Sequence, residues 1–306
     1  MQNNVSTILF LGFNNISNFN LLPFILLILI YCVTLGGNLL IITLVSNSRS
    51  LHSPMYFFLT QLSVADIILT TDIAPSMLDV ALHGHTSISF SGCITQYFFF
   101  SLSEAFECFL LTAMSYDRYL AICSPLHYSS IMDQQLCIKL IIASWLLGCF
   151  LEIIVTFTIC QLLFCGPNII DHFLCDFYPL VELSCSDLTL IQIEATLLSI
   201  PVIIVPFLAV VVSYVYIVFT ISKISSFSGR LKSFSTCSSH LTVEFIFYGT
   251  LIAMYVVPNE GQSKVIKKMF AMMYTVLTPL VNPFIYSLRN KDIKKALKSN
   301  SLIGNN

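Results

Sequence analysis

The chain has 306 residues, 56% of them hydrophobic and only 10% charged, with a formal net charge of −2. Soluble chains carry roughly 25% charged residues, so this one cannot cover a water-facing surface, and its mean hydropathy of +0.85 points the same way. No basic excess is present to neutralise nucleic-acid phosphates, and the length and apolar content exclude a disordered chain, a coiled coil or a disulfide-stapled mini-protein.

Residues 1–20 carry no Lys or Arg and hold two sequons, Asn4-Val5-Ser6 and Asn15-Ile16-Ser17, which make Asn4 and Asn15 candidate glycosylation sites. This start shows no basic n-region and no small-residue cleavage site, so no removable signal peptide is expected. Seven stretches then meet the requirement of about 20 mostly apolar residues for a crossing. They run near Leu21–Ser46, Met55–Leu82, Cys93–Cys123, Ile138–Leu163, Ile193–Ile221, Ser233–Val257 and Val265–Leu288. The third and seventh are the least uniformly apolar. The expected fold is an all-α membrane protein, a seven-transmembrane helix bundle in one domain over residues 1–306. Residues 1–20 form an extracellular tail, 21–288 the bundle and 289–306 a cytoplasmic tail. Continuous apolar runs argue against a β-barrel, and the lack of an inverted repeat weakens a transporter or channel reading.

Lys and Arg set the orientation. Arg49, Arg118, Lys139, Lys223, Arg230, Lys232, Arg289, Lys291, Lys294, Lys295 and Lys298 fall on one side, against Lys264, Lys267 and Lys268 on the other. This bias puts the N-terminus outside and the C-terminus inside. Four cysteines then face outward, Cys93, Cys165, Cys175 and Cys185, and four allow three pairings. The remaining seven read as small buried hydrophobes. At the other end, Ile293 and Leu297 stand four apart among lysines, the pattern of a short amphipathic C-terminal helix on anionic membrane lipids. Pro206, Pro279 and Pro283 fall inside spans five and seven, where proline kinks a helix.

Ordered motifs begin at Gly37 and end at Asn290. They are Gly37-Asn38, Leu51-His52-Ser53-Pro54-Met55-Tyr56-Phe57-Phe58-Leu59, Leu62-Ser63-Val64-Ala65-Asp66 and Met114-Ser115-Tyr116-Asp117-Arg118-Tyr119-Leu120-Ala121-Ile122-Cys123. Pro125-Leu126-His127-Tyr128, Ser213-Tyr214, Lys232-Ser233-Phe234-Ser235-Thr236-Cys237-Ser238-Ser239-His240-Leu241 and Pro279-Leu280-Val281-Asn282-Pro283-Phe284-Ile285-Tyr286-Ser287-Leu288-Arg289-Asn290 follow. The chain closely resembles an odorant (olfactory) receptor of the rhodopsin-like G-protein-coupled class. It departs modestly at Ser53, Ser115, Ser233 and Val281. The larger departure is Glu244, where the family generally has an apolar residue.

The resemblance implies a receptor in the plasma membrane, multi-pass, that binds small organic odorants and activates a stimulatory heterotrimeric G protein to raise cAMP. The alternatives are a rhodopsin-like receptor for a non-odorant metabolite and, further off, a transporter or channel. No nucleophile–base–acid arrangement or phosphate loop points to an enzyme. The family pattern joins Cys93 to Cys175, leaving Cys165 for Cys185. The implied odorant cavity is lined on span three by Phe100, Ser101, Glu104, Ala105 and Cys108, and on span six by Tyr248, Leu251, Ile252 and Tyr255. Asp117, Arg118 and Tyr119 form the implied activation switch, with Tyr214, His240, Asn282, Pro283 and Tyr286 as the residues that receive or relay it. Asp66 and Glu107 are acids inside spans, where an uncompensated charge is costly. In the family's arrangement they converge with Asn38 and Asn282, as a candidate sodium site or a hydrogen-bonded structural network. No other cofactor is expected.

Overall fold

The computed structural model describes residues 6–12, 21–165, 167–256, 264–289 and 293–297. Asn4 and Asn15 lie outside them, as do the lysines 291 and 298 of the amphipathic pattern.

The long helices are α1 (Leu21–Asn47), α2 (Pro54–His83) and α3 (Phe90–Cys123), then α5 (Gln134–Cys160) after the one-turn α4 (Tyr128–Ile131). A short helix α6 (Phe177–Val181) precedes α7 (Thr189–Ser199), which continues through a π-helical turn, Ile200–Ile204, into α8 (Val205–Ser222). Helix α9 (Phe227–Leu251) ends in a π turn, Ile252–Val256, and α10 (Lys264–Met272) joins α11 (Thr278–Arg289) through a third, Met273–Leu277.

Local chemistry sets the boundaries. Ser89 caps α3 by accepting from the Gly92 N–H at 3.1 Å, and Asp133 caps α5 by accepting from the Leu136 N–H at 2.7 Å. Pro54 opens α2, where its missing donor costs nothing, and Gly84 closes it in the left-handed region at φ 80°.

Six helices are long and apolar enough to cross a membrane, namely α1, α2, α3, α5, the continuous α7–α8 unit and Val265–Tyr286. The expectation that spans three and seven are the least apolar agrees with their mean hydropathy of 1.3, the lowest of the six, and α9 is not among these six. Arg230, Lys232, His240 and Glu244 within α9 lower its hydropathy. Side chains such as Leu22, Leu146, Phe157 and Val215 point outward and are more than half exposed, a surface suited to lipid.

Helix α3 packs against α2, α5, α8 and α9 and forms the axis of the molecule. Phe106 on α3 stacks on Trp145 of α5 at 3.9 Å between ring centroids. Gly37 lets α1 approach α11 closely, because a Cβ there would lie 3.1 Å from Pro283.

The fold is mostly helical, not all-α. Residues Thr7–Phe10 form a strand, β1, flanked by β2 (Thr86–Ser89, antiparallel) and β3 (Ile169–Ile170, parallel). Ile8 and Phe10 are fully buried in a cluster with Val80, Tyr97 and Ile159. The segment expected as a plain tail is thus built into the end of the bundle. The physical reason is that Thr7-Ile8-Leu9-Phe10 is a short apolar run without alternation in its residue types, too short to register against seven apolar spans. Gly12 ends this segment at φ 54°, and a Cβ there would collide with Val80.

Candidate functional site

Two disulfides hold this end together. Cys93 at the start of α3 is bonded to Cys175 with Cα atoms 5.5 Å apart, and Cys165 to Cys185 at 6.0 Å. Gln96, one turn below Cys93, fixes the same loop: its Oε1 accepts from the Cys175 N–H at 3.0 Å, while its Nε2 donates to Ser76 Oγ at 2.9 Å. Residues 176–178 are thereby laid across the helix ends.

Beneath them lies a cavity of about 530 Å³, within the range of small-molecule sites. Tyr97, Ser101, Glu104 and Ala105 wall it from α3, Leu151 and Glu152 from α5, and Asp176 to Tyr178 from above. Helix α7 contributes Gln192, Thr196 and Ser199, the π turn adds Ile200 to Ile204 apart from Pro201, and Tyr255 comes from the π turn after α9.

Of the nine expected lining residues, Ser101, Glu104, Ala105 and Tyr255 face this space. Phe100 turns away to pack on Tyr274, ring centroids 5.6 Å apart. Cys108 lies one turn deeper, where its carbonyl accepts from Tyr248 Oη at 2.7 Å. Leu251 is buried in the main core, with Ile252 packed against it, and Tyr248 faces a second hollow with Tyr214 and Glu244 between α8 and α9. At 3.6 residues per turn Phe100 stands at one edge of the set, about 140° from Ala105, whereas Cys108 falls within the arc and misses the cavity by depth. Glu152 is an acid inside a span, so the reasoning applied to Asp66 and Glu107 also reaches it. The wall from α7 carries no charge and gives no such signal.

Asp176 caps α6, accepting from the Phe177 N–H at 2.7 Å and from Tyr255 Oη at 3.1 Å. Burial pushes its carboxyl up to about 6, opposed by these two hydrogen bonds and by the charge of Lys267. Nearby His172 is buried and held far down, at about 3, first by desolvation and then by Lys268.

Midway along the bundle, Asn282 Nδ2 donates to both oxygens of Asp66 at 3.3 and 3.1 Å, and Asn38 Nδ2 donates to the Pro279 carbonyl at 3.2 Å. Glu107 Oε1 and Asn38 Oδ1 are buried without partners. Among the described residues, no group of three or more His, Cys, Asp or Glu is arranged around a metal position.

At the far end of α3, Arg118 donates to Asp117 through Nε at 3.0 Å and also through Nη2. Tyr128 Oη donates to the other Asp117 oxygen at 2.7 Å, a partner the sequence reading had not assigned. Tyr119 packs edge-on against Tyr216. His240 rests on the Tyr286 ring, centroids 5.0 Å apart, and its ring nitrogens and the hydroxyls of Tyr214 and Tyr286 are buried without hydrogen-bond partners.

A helical membrane bundle with a ligand-sized cavity at one end of its axial helix and an ion-paired Asp-Arg-Tyr at the other has the layout of a G-protein-coupled receptor. The chain belongs to the olfactory receptor family, whose model matches residues 27–302. It is 47% identical to olfactory receptor 11L1 of Homo sapiens over 288 residues, covering 94% of this chain and 89% of that one. Similarity extends to olfactory receptor 1468 of Rattus norvegicus, 44% identical over 97% of this chain and 94% of the relative. Olfactory receptor 1M1 of Mus musculus is 43% identical over 96% of this chain and 94% of its own length. The family is one of odorant receptors, not enzymes.

Proposed function

We propose that this chain is a seven-span odorant receptor of the plasma membrane that binds small organic molecules in the 530 Å³ cavity and activates a stimulatory heterotrimeric G protein. Helix α9 with its π turn is the remaining span, its polar first turns standing at the cytoplasmic boundary. The N-terminus lies outside and the C-terminus inside, in keeping with the Lys and Arg bias. Residues 293–297 are helical, and as a short amphipathic segment they rest on the inner leaflet.

The cavity carries the reading: a partly open space of apolar walls and polar groups under a pinned loop suits small, partly hydrophobic ligands. Ligand binding shifts a resting–active equilibrium. In the resting state Asp117 and Tyr128 hold Arg118 near the cytoplasmic end of α3. On activation α9 moves outward and Arg118 turns toward the unpartnered hydroxyls of Tyr214 and Tyr286. His240, Asn282 and Pro283 lie along the helices that carry this change. Asp66, Glu107 and Asn38 offer hard oxygen donors that fit a sodium ion, which would favour one state by charge neutralisation. The deciding experiment is an odorant screen on the surface-expressed receptor with cAMP as readout. Ligand-dependent cAMP in receptor-bearing cells alone is expected, and a receptor silent to every odorant and without basal signal would refute the assignment.

A further inference from the structure

Three carboxyl groups, Glu104, Glu152 and Asp176, share the cavity, and no Lys, Arg or His is among the residues that line it. Their situations differ. Asp176 is held by the Phe177 amide and the Tyr255 phenol. Lys267 also acts on it electrostatically from beyond the cavity, with its ammonium 6.0 Å from the Tyr178 ring centre. Glu104 Oε1 and Glu152 Oε2 are buried and have no hydrogen-bond partner. Leaving such oxygens unmet is costly, and a carboxylate gains most from a charged donor.

Resting on the odorant-receptor reading above, we propose that the ligands of this receptor are organic amines, whose ammonium group docks between Glu104 of α3 and Glu152 of α5. The alkyl portion lies against Leu151, Val155, Val202 and Ile203, which form an apolar wall of the same space. Two carboxylates on different helices read the ammonium from two sides, and their burial strengthens that attraction over its value in water. Asp176 is not the anchor, because its Oδ1 already takes the Phe177 amide and the Tyr255 phenol, but its charge adds to the negative potential over the site. A neutral alcohol of the same carbon skeleton supplies one hydroxyl and leaves the second carboxyl unmet.

The test compares straight-chain primary amines of four to eight carbons with the alcohols of the same length. Each is applied to cells displaying the receptor, and to purified receptor whose melting temperature is followed. Amines are expected to raise cAMP and the melting temperature at concentrations at least tenfold below the alcohols. Glu104→Gln and Glu152→Gln, with surface display matched, should each weaken the amine response on the order of ten- to hundredfold, the scale of one lost hydrogen bond to a charged group. Alcohols acting as well as amines, or amine responses untouched in both variants, would overturn the amine assignment and leave the receptor reading standing. Amine-dependent stabilisation without cAMP would uphold the site and refute the coupling. Silence and no stabilisation with either series would refute the amine proposal. An Arg118-dependent basal cAMP signal in the same cells then tells whether the receptor reading survives.

Discussion

Arg118 and Glu244 represent opposite electrostatic solutions in one bundle. Arg118 is matched: Asp117 takes two of its donors, and Tyr128 fills the remaining carboxylate oxygen. Glu104 lies 14 positions before it, about 21 Å at 1.5 Å per residue, so Arg118 has no part in holding a ligand. Arg118→Ala is therefore expected to remove the cAMP response, by more than about tenfold in amplitude, while purified receptor keeps its ligand-dependent stabilisation. Asp117→Asn is expected to raise basal cAMP, because the guanidinium loses its charged partner; unchanged signalling in both would refute the switch. Glu244 is 2% exposed and has no charged partner among the described residues, its polar neighbour being the Tyr214 hydroxyl, with which it makes no well-aligned hydrogen bond. Burying a polar group without a bond costs roughly 1–3 kcal/mol. Glu244→Leu should accordingly raise the melting temperature of the detergent-solubilised receptor, and a lower melting temperature would show that Glu244 has a structural role. The departure at Glu244 is visible in the sequence by resemblance alone; its lack of a charged partner is not, because it depends on how α8 and α9 pack.

Among the elements, most helix ends were legible from the apolar runs to within about four residues, whereas α9 begins six residues before the expected Ser233. The π turns were not. Pro206, Pro279 and Pro283 gave warning of irregularity, and Pro206 and Pro279 do follow the π turns Ile200–Ile204 and Met273–Leu277, but Pro201 within the first turn drew no notice. No residue pattern announces the turn at Ile252–Val256, which brings Tyr255 to Asp176. The strand Thr7–Phe10 was equally hidden, its pairing being set by segments about 80 and 160 residues away. The loop helix α6 allows a pH test. Asp176 has its carboxyl pushed up to about 6, against about 3.9 in an unfolded chain. The folded receptor thus retains a proton that the unfolded chain releases. Its contribution favours folding most below about pH 4 and is lost as pH rises through 6, by up to about 3 kcal/mol. Glu104, Tyr97, Tyr255, Tyr274 and Lys267 also act on or near this group. The comparison is therefore the difference between wild type and Asp176→Asn. Between pH 5 and 7 the wild-type melting temperature should fall more steeply, and parallel curves would show that Asp176 does not titrate there.

At the scale of the whole molecule, the bundle and its membrane setting follow from seven apolar runs, whereas the cavity arises where four separate segments meet a loop. Local periodicity on α3 placed Ser101, Glu104 and Ala105 on the face that lines the cavity. It could not place Glu152 or α7, because no local pattern records which helix stands opposite. The element that closes the cavity is the segment after Cys175, and the two disulfides act on it unequally. Cys93–Cys175 links residues 82 apart and ties the loop to the axial helix, while Cys165–Cys185 spans 20 and closes the loop on itself beside the Phe164–Ser184 bridge. On chain-entropy grounds the longer closure is worth about 1 kcal/mol more. It also holds Asp176 to Tyr178 over the ligand, which the shorter one does only indirectly. Replacing Cys93 and Cys175 together with Ser should therefore lower the melting temperature more than replacing Cys165 and Cys185. The first pair should also raise the ligand concentration for half-maximal cAMP by more than about tenfold, because the loop must then be ordered at the moment of binding. The second pair should change stability while leaving ligand response within a few fold. Equal losses of response in the two double variants, at matched surface display, would mean that the loop is positioned by its own fold and not by its tether to α3.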